Sequence, residues 1–180
     1  MTNRKTTKTG KVVKPAGAKD KSPQFVLVTG CIGAGKTTLR RQKFGDGYVH
    51  LDAAEIFAMF TEGKYYDFPG IFRNELDTVG LKIAQRTMAE RKNIVMEILG
   101  DTDGPLQAVA EAMHSVGYKV NLSCVACPLE ECQKRHKYAC DTDVNYVSAY
   151  HTQAFHLKWL LAAAADYRKN AAPSRAELRG

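Results

Sequence analysis

Short apolar runs alternate with longer segments of mixed polarity along most of this chain. Four runs are predicted to be β-strands, because they are brief, apolar and bounded by turn residues: 25–30, 48–52, 93–99 and 118–127. Helical patterns follow at residues 37–44, 53–60, 72–92, 106–117, 128–140 and 144–169. Such alternation predicts an α/β fold of three layers, in which a parallel β-sheet is flanked by helices.

The chain has 180 residues, which suits one domain with a single apolar core. Its formal net charge is +7, and residues 1–23 carry seven basic side chains against one acid. We therefore predict a flexible basic tail over residues 1–23, a folded and nearly neutral domain over 24–170, and a C-terminal tail over 171–180. The basic tail is suited to weak contact with a polyanion.

Membrane insertion and secretion are both disfavoured by the sequence. No apolar run approaches the roughly 20 residues that span a bilayer, and the tail lacks the apolar core of a secretory signal. The cysteine count is five, an odd number that indicates free thiols in a reducing compartment. We expect a cytoplasmic protein that does not contact a membrane.

The cysteines also resemble a zinc pattern, which we discount. Cys132, His136 and Cys140 are spaced by four and share one face of a predicted helix. Cys124 and Cys127, however, lie on a predicted strand, where a separation of three places them on opposite faces. No zinc site is predicted.

The segment between the first strand and the first helix carries the strongest chemical signal. It matches G-x-x-x-x-G-K-[ST] at every fixed position. Glycines let backbone amides approach phosphate oxygens, and the following helix adds unpaired N–H groups and a positive dipole end. Lys36 is predicted to reach the outer phosphates of ATP, and Thr37 to ligate Mg²⁺. The predicted phosphate-binding set is Gly30, Cys31, Ile32, Gly33, Ala34, Gly35, Lys36, Thr37 and Thr38.

Two acids are placed where such a loop would use them. Asp52 closes the second strand, so it is expected at the same sheet edge as the loop, either as a general base for an acceptor hydroxyl or as a helix N-cap. Glu97 interrupts the apolar third strand. A buried carboxylate needs a partner, and the candidates are Mg²⁺ through water, the acceptor, or a nearby basic side chain.

A basic segment, Lys134 to Lys137, follows the fourth strand where a lid would approach the nucleotide. Arg135 is the candidate for neutralising charge on the transferred phosphoryl group, although a solvated helix face explains the same run. The chain is too short beyond the loop for a typical motor ATPase, and it lacks the N-K-x-D stretch expected of a GTPase. A small-molecule kinase fits the length.

Four blocks, LVTGCIGAGKTTL, VHLDAAEIF, NIVMEIL and GYKVNLSCVACPLEECQKR, resemble the zeta toxin family of small P-loop kinases over about residues 24–137. The resemblance implies a kinase fold that uses ATP and Mg²⁺ to phosphorylate a hydroxyl of UDP-N-acetylglucosamine, and a small helical antitoxin as a partner. It further implies Lys36 and Thr37 as phosphate and Mg²⁺ residues, with Asp52 as general base, Glu97 as substrate-site acid and Arg135 as a lid arginine.

Other functions stay open at the level of sequence. A nucleoside, nucleotide or sugar kinase of the same fold would carry the same motifs. No arginine occurs between Arg135 and Arg168, which leaves a nucleotide-binding module without catalysis as a further alternative. A polynucleotide 5′-kinase guided by the basic tail is a third.

Overall fold

The computed structural model describes residues 22–62, 72–99, 103–142 and 153–171. The predicted tails therefore lie outside the described residues, apart from residues 22, 23 and 171. No helix within those ranges is long and apolar enough to cross a membrane. The elements, in chain order, are β1 Gln24–Thr29, α1 Lys36–Lys43, β2 Tyr48–His50, α2 Ala53–Phe60, α3 Arg73–Ala89, β3 Asn93–Ile98, α4 Asp103–Ser115, β4 Lys119–Cys124, α5 Leu129–Thr142 and α6 Gln153–Ala171.

The four strands form one parallel sheet in the order β2-β3-β1-β4. β1 is central, and its residues are buried from Phe25 to Val28, as the apolar run predicts. Val28 pairs with Glu97 of β3, and Thr29 pairs with Cys124 of β4. The register brings the carboxyl ends of β1 and β3 to one edge, where ligands of parallel α/β sheets bind.

Alternate residues of the central strands face two different helical layers. Phe25 and Leu27 belong to the large core that contains buried residues of α2, α3, α4 and α6. Val26, Val28 and Val95 point the other way and pack with partly buried residues that include Leu39 of α1. The period of two along a strand explains this division. The predicted three-layer α/β fold is confirmed.

Helix α6 is fixed to α3 by a close approach of backbone and ring. A Cβ on Gly80 would lie 2.4 Å from the Trp159 ring, so only glycine fits at that position. The buried indole also donates from Nε1 to Asp77 Oδ1 at 2.8 Å, and Lys158 Nζ reaches Asp77 Oδ2 at 2.8 Å. Together these contacts determine where the last helix lies.

Several predicted boundaries were wrong for local reasons. β2 ends at His50, because Asp52 begins the next helix as its N-cap. β4 ends at Cys124, so Cys127 lies in the connection to α5. α4 begins at Asp103, since Pro105 is tolerated in a first turn that has no intrahelical N–H partner. The described part of the last helix begins at residue 153, and residues 143–152 lie outside the described ranges.

Candidate active site

The phosphate-binding loop connects the central strand β1 to α1, and all nine predicted residues lie in this connection and the first turn of α1. Gly33 and Gly35 have φ angles of 77° and 98°, which favour glycine. Inside the loop, the Ala34 amide donates to Cys31 O at 3.1 Å, and Gly35 is the N-cap residue of α1. The loop thus presents the start of a helix to the sheet edge, an arrangement suited to binding phosphate.

The glycines also permit close contact with the following lid segment. A Cβ on Gly30 would lie 2.7 Å from Val125 O, and one on Gly33 would lie 2.5 Å from Cys132 O. A Cβ on Gly33 would also be 3.4 Å from Arg135 Cβ. The predicted lid arginine is therefore on a helix that touches the loop.

Lys36 is buried within the loop that it follows. Its Nζ donates to Gly30 O at 2.9 Å and to Cys31 O at 3.0 Å. Burial lowers the pKa of Lys36 below its usual value, although the negative charge of Glu97 acts in the opposite direction. The ammonium group is held over the loop and next to the acid of β3.

Glu97 connects the loop to a buried arginine. Thr37 Oγ1 donates to Glu97 Oε2 at 2.9 Å, and Arg40 Nε donates to Glu97 Oε1 at 2.6 Å. The Arg40 side chain is only 9% exposed and that of Glu97 is 18% exposed. The partner required by a carboxylate in an apolar strand is therefore Arg40, the basic side chain that the sequence leaves open as one of three alternatives.

The oxygens of Thr37 and Glu97 also fit a magnesium ion. Mg²⁺ binds hard oxygen donors and keeps several waters, so a hydroxyl, a nearby carboxylate and substrate phosphates make a suitable set. The two oxygens are 2.9 Å apart, which is close enough for both to bind the same metal ion or a water on it. Thr37 would be a direct ligand, and Glu97 would act directly or through water.

Arg40 continues the polar contacts towards Asp52. Its Nη2 lies 3.3 Å from Glu55 Oε1, and Glu55 Oε2 lies 2.9 Å from His50 Nδ1. The hydrogen bond with His50 lowers the pKa of Glu55 below its usual value. His50 Nε2 is 3.7 Å from Asp52 Oδ2. We call this set the polar network; its members are Thr37, Glu97, Arg40, Glu55, His50 and Asp52.

Asp52 performs the structural role expected of it as a helix cap. Its Oδ1 accepts hydrogen bonds from Ala54 N at 2.8 Å and from Glu55 N at 3.3 Å. A second imidazole, His156 of α6, lies with Nε2 4.0 Å from the same oxygen. Since capping uses Oδ1, the other oxygen, Oδ2, is the one that can face a substrate.

One group of side chains has the composition of a cation site. His50, Asp52 and Glu55 each offer a donor atom within 4.8 Å of the others. Within the described ranges no other group of at least three such side chains satisfies this spacing, and the cysteines do not form one. One oxygen of each carboxylate is already used, because Glu55 Oε1 pairs with Arg40 and Asp52 Oδ1 caps the helix.

Arg135 lies on α5 and is half-exposed. Its Nε is 2.8 Å from Glu131 Oε1, one helical turn earlier. The Cβ of Arg135 therefore lies beside the loop, while its guanidinium group pairs with Glu131 on the same helix. An exposed pair of this kind contributes little energy, so the guanidinium can exchange Glu131 for a phosphate at small cost.

Four residues around Asp52 and Glu97 escape prediction from the sequence: Arg40, His50, Glu55 and His156. Two had a usable signal. Asp52 and Glu55 have the spacing of a helix capping box, and Arg40 follows Thr37 by three on the same helix face. His156 has none, because it lies 103 residues from Ala53, its hydrogen-bond partner.

A glycine-rich phosphate loop on the central strand of a parallel sheet, with a hydroxyl and an acid at the adjacent strand ends, defines a P-loop kinase fold. The model of the zeta toxin family matches residues 8–165. The chain therefore belongs to the zeta toxin family. That match extends beyond the four blocks of the sequence resemblance, in both directions.

Two solved structures are similar to this chain, and the first of them supports the same fold. One, described as "Structure of the Pnkp1/Rnl/Hen1 RNA repair complex", is similar with a TM-score of 0.54 and 13% sequence identity, over 87% of this chain and 49% of that chain. Another, "Structure of Pnkp1/Rnl/Hen1 complex", has a TM-score of 0.48 and 17% identity, over 63% and 39% of the two chains. This chain spans about half the length of the first. No curated protein sequence matches it.

Proposed function

We propose that this protein is an ATP-dependent kinase that transfers the γ-phosphoryl group to a hydroxyl of a small molecule. As the acceptor we propose a UDP-amino sugar, which is what the sequence resemblance implies. The observation that carries the proposal is the 2.9 Å contact between Thr37 Oγ1 and Glu97 Oε2. It joins the helix that follows the phosphate loop to the acid of the adjacent strand, which is the arrangement that a metal–nucleotide complex requires.

The loop and Lys36 would hold the phosphate chain of ATP. Backbone amides between β1 and α1 supply donors, and Lys36, already seated against two loop carbonyls, supplies the positive charge. Mg²⁺, held by Thr37 and supported by Glu97, would neutralise charge on the β- and γ-phosphates. These residues bind and orient; they form no covalent bond with the substrate.

Asp52 would act on the acceptor. Its Oδ2 accepts the proton of the attacking hydroxyl while the new O–P bond forms and the bond from the γ-phosphorus to ADP breaks. Arg135, freed from Glu131, would move onto the phosphoryl oxygens and stabilise their charge. Arg40 has a different task, since it fixes the Glu97 carboxylate from the buried side.

Mass spectrometry of an acceptor panel tests the proposal. The protein is incubated with ATP, Mg²⁺ and UDP-sugars, nucleosides, nucleoside monophosphates, free sugars and a 5′-hydroxyl oligonucleotide. We expect one phosphate to be added to a UDP-amino sugar, and the product to be lost in Lys36→Ala and Asp52→Ala. Lys43→Ala, at the exposed end of α1, is the matched control and should retain activity.

Each other result of the acceptor panel would support one of the alternative functions. Transfer to a nucleoside, nucleotide or free sugar keeps the reaction and changes the substrate class. Transfer to the oligonucleotide supports a polynucleotide kinase, and binding should then weaken with salt and require residues 1–23. ATP binding without transfer to any acceptor contradicts the proposal and indicates a module without catalysis.

Toxic action would follow from the same chemistry. Consumption of an essential metabolite is expected to arrest growth when the protein is produced in bacteria, and a small helical antitoxin would relieve the arrest. Lys36→Ala should abolish toxicity at equal protein level. Growth arrest that persists in Lys36→Ala would separate toxicity from phosphoryl transfer.

A further inference from the structure

Helix α6 reaches the candidate active site through one side chain. His156 is nearly fully buried, with 4% of its side chain exposed, and it lies against the first residue of α2. Its Nε2 accepts a hydrogen bond from the backbone amide of Ala53. Ala53 directly follows Asp52, so the contact is made next to the proposed general base.

The first amides of α2 are divided between two side chains. Asp52 Oδ1 accepts from Ala54 and Glu55, and His156 accepts from Ala53. The first N–H groups of a helix have no partner within it, so each needs an acceptor from elsewhere. His156 thus accepts from the Ala53 amide, which Asp52 does not bind, and so completes the N-terminal cap of α2.

The imidazole can play this part only when it is neutral at Nε2. A nitrogen that accepts a hydrogen bond carries no proton, and burial lowers the pKa of His156 to about 4. The titratable groups that act on it electrostatically are Asp52, His50 and Glu55, which lie in β2, in the first turn of α2 and in the connection between them. At neutral pH His156 is therefore an uncharged acceptor.

The position of His156 is itself fixed by the packing of α6. Trp159, one turn further along, contacts the His156 ring at a centroid distance of 5.7 Å and donates to Asp77 of α3. Gly80 lets α3 approach this indole closely. A rigid helix pair thus holds the imidazole.

We propose that His156 is a positioning residue for Asp52. By holding the Ala53 amide, it fixes the turn between β2 and α2, so that Asp52 keeps Oδ1 in the cap and presents Oδ2 to the acceptor hydroxyl. The catalytic part of this inference rests on the proposed function of Asp52. The hydrogen bond to Ala53 can be tested without any substrate.

Two substitutions of His156 distinguish the effect of its hydrogen-bond acceptor from the effect of its size. His156→Leu fills the space but cannot accept a hydrogen bond, whereas His156→Gln places an amide oxygen about where Nε2 lies. Tyr118→Phe is the matched structural control, because it removes the hydrogen bonds of a buried hydroxyl to Thr87 O and Lys92 O and lies just before β4, at the end of the sheet opposite the site. The fraction folded is measured for all three.

Amide hydrogen exchange tests the hydrogen bond between Ala53 N and His156 Nε2 directly. We expect the Ala53 amide to exchange about 10-fold faster or more in His156→Leu, as for the loss of one buried hydrogen bond, and to be restored in His156→Gln. Unchanged exchange in His156→Leu would overturn the proposal.

Measurements of kcat and KM then test whether His156 positions Asp52. We expect kcat in His156→Leu to fall about 10–100-fold with the KM for ATP unchanged, because a displaced base lowers only the chemical step. His156→Gln should recover most of it, and Tyr118→Phe should keep kcat even where its stability is lower. If kcat falls in proportion to stability in both His156→Leu and Tyr118→Phe, His156 is structural and the positioning role fails.

Failure of the proposed function looks different. If the wild-type protein phosphorylates no acceptor, the NMR chemical shift of the Asp52 carboxyl carbon replaces kcat as the readout. A chemical shift that changes in His156→Leu and returns in His156→Gln supports positioning of Asp52, and one that is equal in all variants contradicts it.

Discussion

Thr37 Oγ1 donates a 2.9 Å hydrogen bond to Glu97 Oε2, and this contact joins α1 to strand β3 beside the phosphate loop. On its other oxygen the same carboxylate is paired with buried Arg40. Glu97 is therefore held from two sides, with a hydroxyl on the side of the loop and a fixed cation on the side of the core. Its charge and its position can be tested separately.

Glu97→Gln keeps the shape of the side chain and removes its charge. Because the carboxylate hydrogen-bonds Thr37, the proposed Mg²⁺ ligand, we expect the affinity for Mg²⁺ in the presence of an ATP analogue to fall about 10–100-fold, as for other residues that support metal ligands. Calorimetric titration with Mg²⁺ measures this. Glu75→Gln, on the exposed first turn of α3, should leave Mg²⁺ affinity unchanged; equal affinities in wild type and Glu97→Gln would refute the role.

Gly33→Ala and Gly35→Ala distinguish steric clash from backbone strain within the loop. Both positions have positive φ, so alanine at either costs about 1 kcal/mol. Only at Gly33 would the new Cβ meet a backbone oxygen, Cys132 O at 2.5 Å, while nothing lies within 4 Å at Gly35. We expect Gly33→Ala to unfold at clearly lower urea concentration than Gly35→Ala. The reverse order would show that the loop does not pack on α5.

Gly80→Ala and Gly104→Ala should change stability in opposite directions. Alanine at Gly80 would overlap the Trp159 ring and force α3 and α6 apart, at a cost of about 1–3 kcal/mol in the free energy of unfolding. Gly104 lies in α4 with nothing within 4 Å, so alanine there should stabilise by about 0.5–1 kcal/mol through helix propensity. Urea unfolding followed by circular dichroism measures both. A neutral Gly80→Ala would contradict the packing of α6 described above.

Stability should depend on pH through His156. Its pKa is lowered from 6.5 to about 4 in the folded protein, so the unfolded chain binds more protons between these values. The contribution is complete above pH 6.5, is lost as the pH falls towards 4, and levels off below, with a total of about 3 kcal/mol. Unfolding free energies across this window measure it. His156→Gln should show a weaker slope there, and an equal slope would assign the pH dependence to other groups.

The fold was predictable because its signals are local. The buried run of β1 and the glycines after it are contiguous in sequence, and the alternation of strands with helices predicts a parallel sheet, whereas the pairing of β1 with β3 comes only from the structure. The expectation that Glu97 has a partner was also accessible, since an acid in an apolar strand needs one. The assignments of Lys36, Asp52, Arg135 and the other site residues remain predictions that the experiments above address.

The rest of the site arises from contacts distant in sequence. Arg40 reaches Glu97 across 57 residues and Glu55 across 15, and His156 reaches Ala53 across 103. Helical and strand periodicity indicate which face a residue occupies, but they do not tell which other element packs on that face. The roles of Arg40 on a short helix and of His156 on an alanine-rich helix therefore cannot be predicted until the packing is known.

The place of α6 in chain order has a consequence for synthesis on the ribosome. Strands β1 to β4 and the phosphate loop all leave the exit tunnel before residue 153, while Trp159, Leu160 and Ala164 of the large core emerge afterwards. Until then the amide of Ala53 has no imidazole to accept its hydrogen, and the face of α3 at Gly80 is uncovered. A chain interrupted before α6 would carry an intact phosphate loop on an unfinished core, so the core is completed only after α6 has left the ribosome.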